Sequence, residues 1–242
     1  MKNESDSLNS LLSMRFFVTP LHDCNYFPER QAITLVVDPE TKLNKVQYSE
    51  LSRLGFRRSG GHVYRPHCPN CRDCIPIRIE AAKFKPNRSQ RRVLKKNQQI
   101  KWKPNPVEFS EEHFQLYRYY IQGRHPAGGM DNDDPNQYRQ FIRASWCETR
   151  LFELRENDQL LGVAVTDQLE NGLSAVYTFF DPSLSDRSLG TYAILRQIEE
   201  CRDQELKWLY LGYWIPDSPK MQYKSRFRPF EYFDGQAWHL KE

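Results

Sequence analysis

Three cysteines fall within seven residues, in the run Cys68-Pro-Asn-Cys71-Arg-Asp-Cys74. A two-residue gap lets neighbouring thiolates reach one metal ion, and thiolates bind zinc and iron–sulfur clusters well. Cys24 offers a fourth sulfur, and His22, His62 and His67 are substitute ligands. No second Cys-x-x-Cys completes the pattern. Two readings therefore stand side by side: zinc or an iron–sulfur cluster on Cys24, Cys68, Cys71 and Cys74, or four reduced thiols in a tight structural knuckle. Cys147 and Cys201 lie in helix-like stretches that suit small buried hydrophobes.

The cysteines sit inside a basic region. Between Arg53 and Lys103 there are 15 Lys/Arg against two acids, a charge of +13, while the remainder of the chain is −9 and the whole is +4. A separation this sharp marks a polyanion-facing region rather than a solvated face. Arg57, Arg58 and Arg65 form one basic set. Arg88, Arg91, Arg92, Lys95 and Lys96 form another, at helical spacing. Arginine grips phosphate bidentately and lysine adds point charge, so both sets fit a nucleic-acid backbone. Phe56, Tyr64, Phe84 and Trp102 interleave with them as stacking surfaces for unpaired bases. The competing view is a salt-bridged scaffold with core aromatics.

Two further segments carry chemistry. Asp186-Arg187-Ser188-Leu189-Gly190-Thr191-Tyr192 stands where a coenzyme A acetyltransferase places its pyrophosphate loop. Arg187 and Gly190 fit that role, but Tyr192 occupies a position that wants a small residue, which points to a different acyl donor. Near the end of the chain, the basic and aromatic run 213–228 offers Lys220, Lys224 and Arg226 to a carboxylate or a phosphate.

Ordinary elements must position these groups. The chain has 242 residues, 39% hydrophobic and 13% aromatic, enough for one large domain or two small ones. No run approaches the roughly 18 apolar residues of a membrane span, and residues 1–9 are polar, so a soluble cytoplasmic protein without a membrane partner is expected. Residues 1–12 read as a loose terminus. Strands are predicted at 15–18 and 33–37, a helix at 48–54, extended segments at 62–64 and 75–81, and a helix capped by Asn87 or Ser89 that runs to about 97. Lys103-Pro-Asn-Pro106 breaks the chain and places a boundary there. That gives a Cys/Arg-rich domain over 1–104 and an acyltransferase domain over 105–242. Helices at 110–122 and 138–147 flank a long loop, 123–135. Strands follow at 150–155, 160–168 and 172–180, then a helix at 188–205 and a strand at 208–211. This order predicts an α/β (α+β) fold whose C-terminal domain resembles the acetyltransferase (GNAT) superfamily.

The runs GFRRSGGHVYRPHCPNCRDCIPIRI, KFKPNRSQRRVLKKN, RHPAGGM, YTFFDP, SLGTYAIL and YLGYWIPDSPKMQYKSRFRPFE together resemble the aminoacyl-tRNA–protein transferases of the N-end rule, over residues 14 to 235. The compact length and the Cys24-Asn-Tyr-Phe27 opening look like the bacterial, leucine-transferring branch; Phe27 stands where the eukaryotic arginyltransferases have a second cysteine. The resemblance implies that Leu-tRNA donates its amino acid to the α-amine of proteins beginning with Asp or Glu, marking them for degradation, with no cofactor required for the chemistry. It casts the +13 region as the tRNA-backbone surface, with Arg65, Arg88, Arg91, Arg92, Lys95 and Lys96 as contacts. It makes Arg57, Arg58, Lys220, Lys224 and Arg226 candidates for the acidic acceptor or the tRNA end. Asp181, after the YTFF strand, is the candidate proton acceptor, with Tyr177 nearby; the alternative for Asp181 is a turn residue before Pro182. Arginyl transfer by the same fold, a coenzyme A acetyltransferase and a non-catalytic, metal-dependent RNA-binding module are the competing functions.

Overall fold

The computed structural model describes residues 13–124 and 134–242. The expected loose terminus and most of the 123–135 loop, including the greater part of RHPAGGM, lie outside the described residues. In chain order the elements are β1 (Phe16–Val18), β2 (His22–Asp23), β3 (Gln31–Ala32), β4 (Thr34–Val37), α1 (Lys45–Arg53), β5 (Arg57–Ser59), β6 (His62–Pro66) and β7 (Ile75–Glu80). There follow α2 (Arg88–Lys96), β8 (Lys101–Asn105), α3 (Glu111–Arg124), α4 (Pro135–Ile142), β9 (Thr149–Glu156), β10 (Gln159–Leu169) and β11 (Gly172–Phe180). A 3-10 turn (Pro182–Arg187), α5 (Leu189–Asp203), β12 (Trp208–Trp214), a second 3-10 turn (Gln222–Arg226), β13 (Phe230–Phe233) and β14 (Trp238–Lys241) complete the order.

Local chemistry explains most boundaries. Asn44 and Gln47 form a reciprocal capping box that starts α1 three residues earlier than predicted. Asn87 and Gln90 do the same for α2, as the Asn87 cap predicts. The β9–β10 turn puts Asn157 and Asp158 at φ 49° and 64°, the left-handed region these two residues tolerate. The helix predicted to reach 147 stops at Ile142.

An eight-stranded sheet runs in the order β14-β13-β7-β12-β11-β10-β9-β8. β9, β10 and β11 form an antiparallel meander, and α5 then crosses over to set β12 parallel to β11. That is the GNAT-like arrangement that the order of predicted elements anticipated. A smaller sheet, β1-β4-β6-β5, packs against it. The division at 104/105 is corrected by this topology: it falls inside β8, and β7, from the N-terminal side, is inserted beside β12. Ile77 and Ile79 of β7 are buried beside Leu195 and Ile198 of α5, so the N-terminal part contributes to the acyltransferase core. Among the described residues no helix is long and apolar enough to cross a membrane.

The small sheet is held to the large one by a buried ion pair. Arg58 of β5 donates from Nε and Nη2 to the carboxylate of Asp167 in β10, at 2.5 and 2.7 Å, and both side chains are fully buried. The rest of the guanidinium donates to the carbonyls of Gly60, Phe141 and Ile142, and Asp167 also accepts from Tyr48 and Thr149. Arg58, expected to touch substrate, is thus a structural residue: its donors are spent on the joint between β5, α4 and β10. Removing one member strands the other charge in the interior, which costs about 3–5 kcal/mol. Arg58→Met or Asp167→Leu alone should each lower stability by that amount in urea unfolding. The double variant should recover a large part of the loss, since a matched apolar replacement leaves no uncompensated charge.

Candidate active site

β11 and β12 pair only through Gly172–Ser174 with Trp208–Tyr210, and then part. Each strand carries an extra residue at that level. Val176 has no partner in the β10 register, and Leu211 has none in the β7 register. Bulges bend a strand and re-aim its side chains, so two of them at one level open the sheet. Gly212 completes the bend of β12 at φ +75°, a conformation that side chains resist.

Arg57 fills the opening. Its Nη1 donates to Ser174 Oγ at 3.0 Å and to the Tyr210 carbonyl at 3.3 Å, and its Nη2 donates to the Ala175 carbonyl at 2.5 Å. A guanidinium has five N–H donors. Nε–H and one Nη2 hydrogen have no acceptor among the described residues. A Cβ at 212 would stand 3.1 Å from Nε, 3.3 Å from Cζ and 3.5 Å from Nη2, over the guanidinium face, so glycine lets β12 pack closely on Arg57.

Lys224 comes in from the second 3-10 turn. Its side chain is buried, and Nζ donates to the Tyr213 carbonyl at 2.8 Å. Burial and then the charge of Arg57 lower its pKa to about 7, while Cys74 acts weakly in the opposite sense. Tyr213 fixes the floor: its hydroxyl donates to the Gly55 carbonyl at 3.0 Å. Tyr177 packs against Tyr120 and Phe141, its buried hydroxyl finds no partner among the described residues, and burial raises its pKa so that it stays a neutral phenol. A guanidinium and a lysine amine that titrates near neutrality thus lie beside each other in a gap of the sheet, and no described carboxylate pairs with either. That arrangement seeks an anion.

The structure assigns different places to the other expected residues. Asp181 caps the 3-10 turn after β11, with Oδ1 accepting from Ser183 N at 2.9 Å and Ser183 Oγ at 2.6 Å. Its geometry is that of the turn residue named as the alternative, made through one of its two carboxylate oxygens. Lys220 and Arg226 are exposed on the segment around Lys224. Arg65 lies over the Phe56 ring and donates to the Leu54 carbonyl, so it is held within the small domain's packing. Arg88, Arg91, Arg92 and Lys95 stand exposed on α2, whereas Lys96 pairs with Asp186 at 2.6 Å. Of the four expected base-stacking rings, Phe56 and Phe84 are core residues, and Trp102 stacks on Phe152. Where the pyrophosphate of coenzyme A would sit, Arg187 is held bidentately by Glu156 at 2.8 Å, and Tyr192 is buried.

The four cysteines cluster. Burial and the neighbouring sulfurs of Cys24, Cys71 and Cys68 push the Cys74 thiol up to about 12. Arg30 donates to Cys71 Sγ and Asp73, and Cys68 Sγ lies 3.8 Å from the Ile33 carbonyl. The donor chemistry suits zinc or iron–sulfur, but among the described residues no group of three or more Cys, His, Asp or Glu is disposed to hold an ion. Sequence reasoning missed the splay itself and the burial of Lys224. The lone glycine inside the apolar run 208–214 was the available signal for a bulge.

The family model described as Arginine-tRNA-protein transferase, N terminus, matches residues 22–92, and that described as Arginine-tRNA-protein transferase, C terminus, matches residues 112–234. An aspartate/glutamate leucyltransferase from Alcanivorax borkumensis is 48% identical over 231 residues, covering 96% of each chain. A protein of the same name from Nitrosococcus oceani is 49% identical over 234 residues, covering 96% of this chain and 98% of its own. A crystal structure named for the C-terminal domain of a lysylphosphatidylglycerol synthetase from Agrobacterium fabrum aligns with a TM-score of 0.50 at 11% identity, over 79% of this chain and 62% of that one. That likeness bears on the fold alone.

A buried lysine held near pH 7 makes stability depend on pH. The unfolded lysine titrates near its ordinary 10.5 and the folded one near 7, so between these values the unfolded chain binds more protons and stability rises with pH. The penalty is full below about pH 7 and fades as pH approaches 10.5. Lys224→Met should therefore be more stable than the parent at pH 6, with the difference shrinking by pH 9. Urea midpoints at the two pH values check this; an equal difference at both would remove the lysine as the cause.

Proposed function

The chain belongs to the arginine-tRNA-protein transferase family, and on that premise we propose that it transfers leucine from Leu-tRNA to the α-amine of proteins beginning with Asp or Glu, marking them for N-end rule degradation. The observation that carries the acidic-acceptor part is Arg57, a permanently charged guanidinium in a sheet opening with unused donors and no described carboxylate to neutralise it. A carboxylate of the acceptor side chain meets the free edge of Arg57 in the bidentate manner that guanidinium favours. Leucine as the donor residue rests on the names of the similar proteins; arginine is the second possibility, since the family models bear that name.

An aminoacyl ester is an activated donor, so positioning accounts for much of the rate. The splay holds the ester carbonyl, and the acceptor amine attacks it while the ribose hydroxyl leaves. Tyr177, a neutral phenol without a partner among the described residues, donates toward the carbonyl oxygen as negative charge develops there. Arg88, Arg91, Arg92 and Lys95 face the tRNA backbone along α2. Zinc or an iron–sulfur cluster would need Cys24, Cys68, Cys71 and Cys74 in a disposition that the described residues do not show, so no step is routed through one.

The test offers charged Leu-tRNA or Arg-tRNA together with reporters that begin with Asp, Glu, Asn or Lys. Leucine should pass to Asp and Glu only. Transfer confined to Lys would refute the acidic acceptor, and transfer in no combination would favour a tRNA-binding module without catalysis. Alanine at Arg88, Arg91, Arg92 or Lys95 should each reduce the salt slope of tRNA binding by about 1, the counterion release of one phosphate contact; an unchanged slope in all four would place the tRNA elsewhere.

A further inference from the structure

The basic helix α2 is fastened at both ends, and its fastenings lie on opposite sides of the splay. β11 and β12 run parallel, so both leave the sheet at its open end. Beyond β11 comes the 3-10 turn 182–187. Beyond β12 comes the turn 222–226, held to the strand by Lys224 on the Tyr213 carbonyl at 2.8 Å and to its continuation by Gln222 on the Pro216 carbonyl at 3.0 Å. We propose that α2 is a strut between these two turns, with Gln90 and Asn97 as positioning residues, and that tRNA bound on its outer face fixes the width of the splay and so tightens the acidic acceptor on Arg57. The proposal rests on the aminoacyl-transfer function above and adds a coupling between its two substrates.

The inward face of α2 shows the design. Gln90, Val93, Leu94 and Asn97 fall three, four and seven residues apart, a single helical stripe. Val93 and Leu94 pack against the apolar cluster that includes Ile194, Leu195 and Ile198 of α5. At either end of the stripe stands a buried amide. Gln90 Nε2 donates to the Arg226 carbonyl at 3.0 Å, on the β12 side. Asn97 Nδ2 donates to the Arg187 carbonyl, and Asn97 Oδ1 accepts from Arg187 Nε, both at 2.9 Å, on the β11 side. Lys96 adds a bond to the Asp186 carbonyl at 3.0 Å. A buried amide is costly unless its partners are in place, so packing alone would favour apolar residues at both positions. From Gln90 to Asn97 the helix rises about 10 Å. That is roughly twice the spacing of hydrogen-bonded strands, a separation suited to strands that have parted.

Arg57 is where the width of the splay is felt. It donates to Ser174 and Ala175 on β11 and to Tyr210 on β12, so its guanidinium is held from both sides. The path from the tRNA face to the acceptor is contiguous: α2, the two turns, the two strands, Arg57. Arg88, Arg91, Arg92 and Lys95 cover the outer face, and phosphates gripped there hold the strut in place. Such a coupling is reciprocal. Whatever factor tRNA adds to the affinity for the acceptor, the acceptor adds to the affinity for tRNA.

The experiment measures binding of an Asp-Ala dipeptide by calorimetry, with and without saturating uncharged leucine tRNA, for wild type, Gln90→Glu and Asn97→Asp. Each substitution keeps the shape and the oxygen that accepts from Asn87 N or from Arg187 Nε, and removes the N–H that reaches the turn. Wild type should bind the dipeptide about tenfold more tightly with tRNA present, and tRNA should gain the same factor from the dipeptide. Each variant should lose most of that factor. A merely structural defect would weaken dipeptide binding equally with and without tRNA and leave the factor intact. A factor of one in wild type, or an undiminished factor in either variant, overturns the proposal. Should the variants fail to fold, amide hydrogen exchange of wild type decides. The dipeptide must slow exchange along residues 88–97, and protection confined to the splay overturns the proposal equally. Wild type that transfers leucine to no reporter refutes the parent function, whereas a factor of one alongside active transfer refutes the strut alone.

Discussion

Two neighbouring arginines on one short strand organise the molecule. Side chains alternate along β5, so Arg58 and Arg57 leave on opposite faces. Arg58 enters the core and closes on Asp167 of β10, while Arg57 enters the splay and closes on Ser174 of β11. Asp167 and Ser174 are themselves paired across the β10–β11 ladder. One strand of the small sheet is thus clamped to two adjacent strands of the large one at a single level. The buried ion pair sets where β5 lies, and that placement delivers a permanently charged guanidinium into the opening between β11 and β12. Without the Arg58–Asp167 clamp, Arg57 would not be held against the carbonyls of Ala175 and Tyr210.

The same geometry places a cost inside the fold. Arg57 and Lys224 repel, and burial disfavours the lysine's charge further. Structures retain such strain where function uses it. Elsewhere the chain resolves buried charge: Arg78 lies between the rings of Trp208 and Trp238 and pairs with Glu231, and Arg187 is matched by Glu156. The contrast between these satisfied arginines and the splay separates a scaffold from a site. A hydrogen bond joins the Lys224 turn to the basic helix. Gln90, which caps α2, also donates to the Arg226 carbonyl two residues beyond Lys224. The proposed tRNA surface and the lysine turn are therefore mechanically connected.

Much of the architecture was legible in the chain. The meander, the crossover helix and the capped basic helix follow from periodicity, turn residues and Asn87, signals that act within a few residues. Recognition of the family came from blocks such as SLGTYAIL and YLGYWIPDSP. The site was less legible because it depends on long-range register. Nothing local distinguishes Arg57, which reaches the splay, from Arg58, which is consumed by a partner more than a hundred positions away. Lys224 looks like one of several basic residues in a loop until the turn buries it behind Tyr213. Asp181 precedes Pro182, and the local preference for a capping turn governed it. The domain boundary at 104 failed for a related reason: Pro104 and Pro106 signalled a break, but β8 tolerates Pro104 at the sheet's edge, where β9 is its one neighbour among the described strands.

The central claim is that the free edge of Arg57 in the splay selects an acidic acceptor. The most direct test is the ratio of kcat/KM for reporters that differ only in an N-terminal Asp or Asn, measured with Leu-tRNA for wild type and for Arg57→Lys. Loss of a charge-assisted bidentate contact corresponds to about 1.5–3 kcal/mol. The account predicts a strong preference for Asp in wild type that collapses by roughly tenfold or more in Arg57→Lys, with tRNA affinity retained. A preference of the same size in both proteins would contradict it.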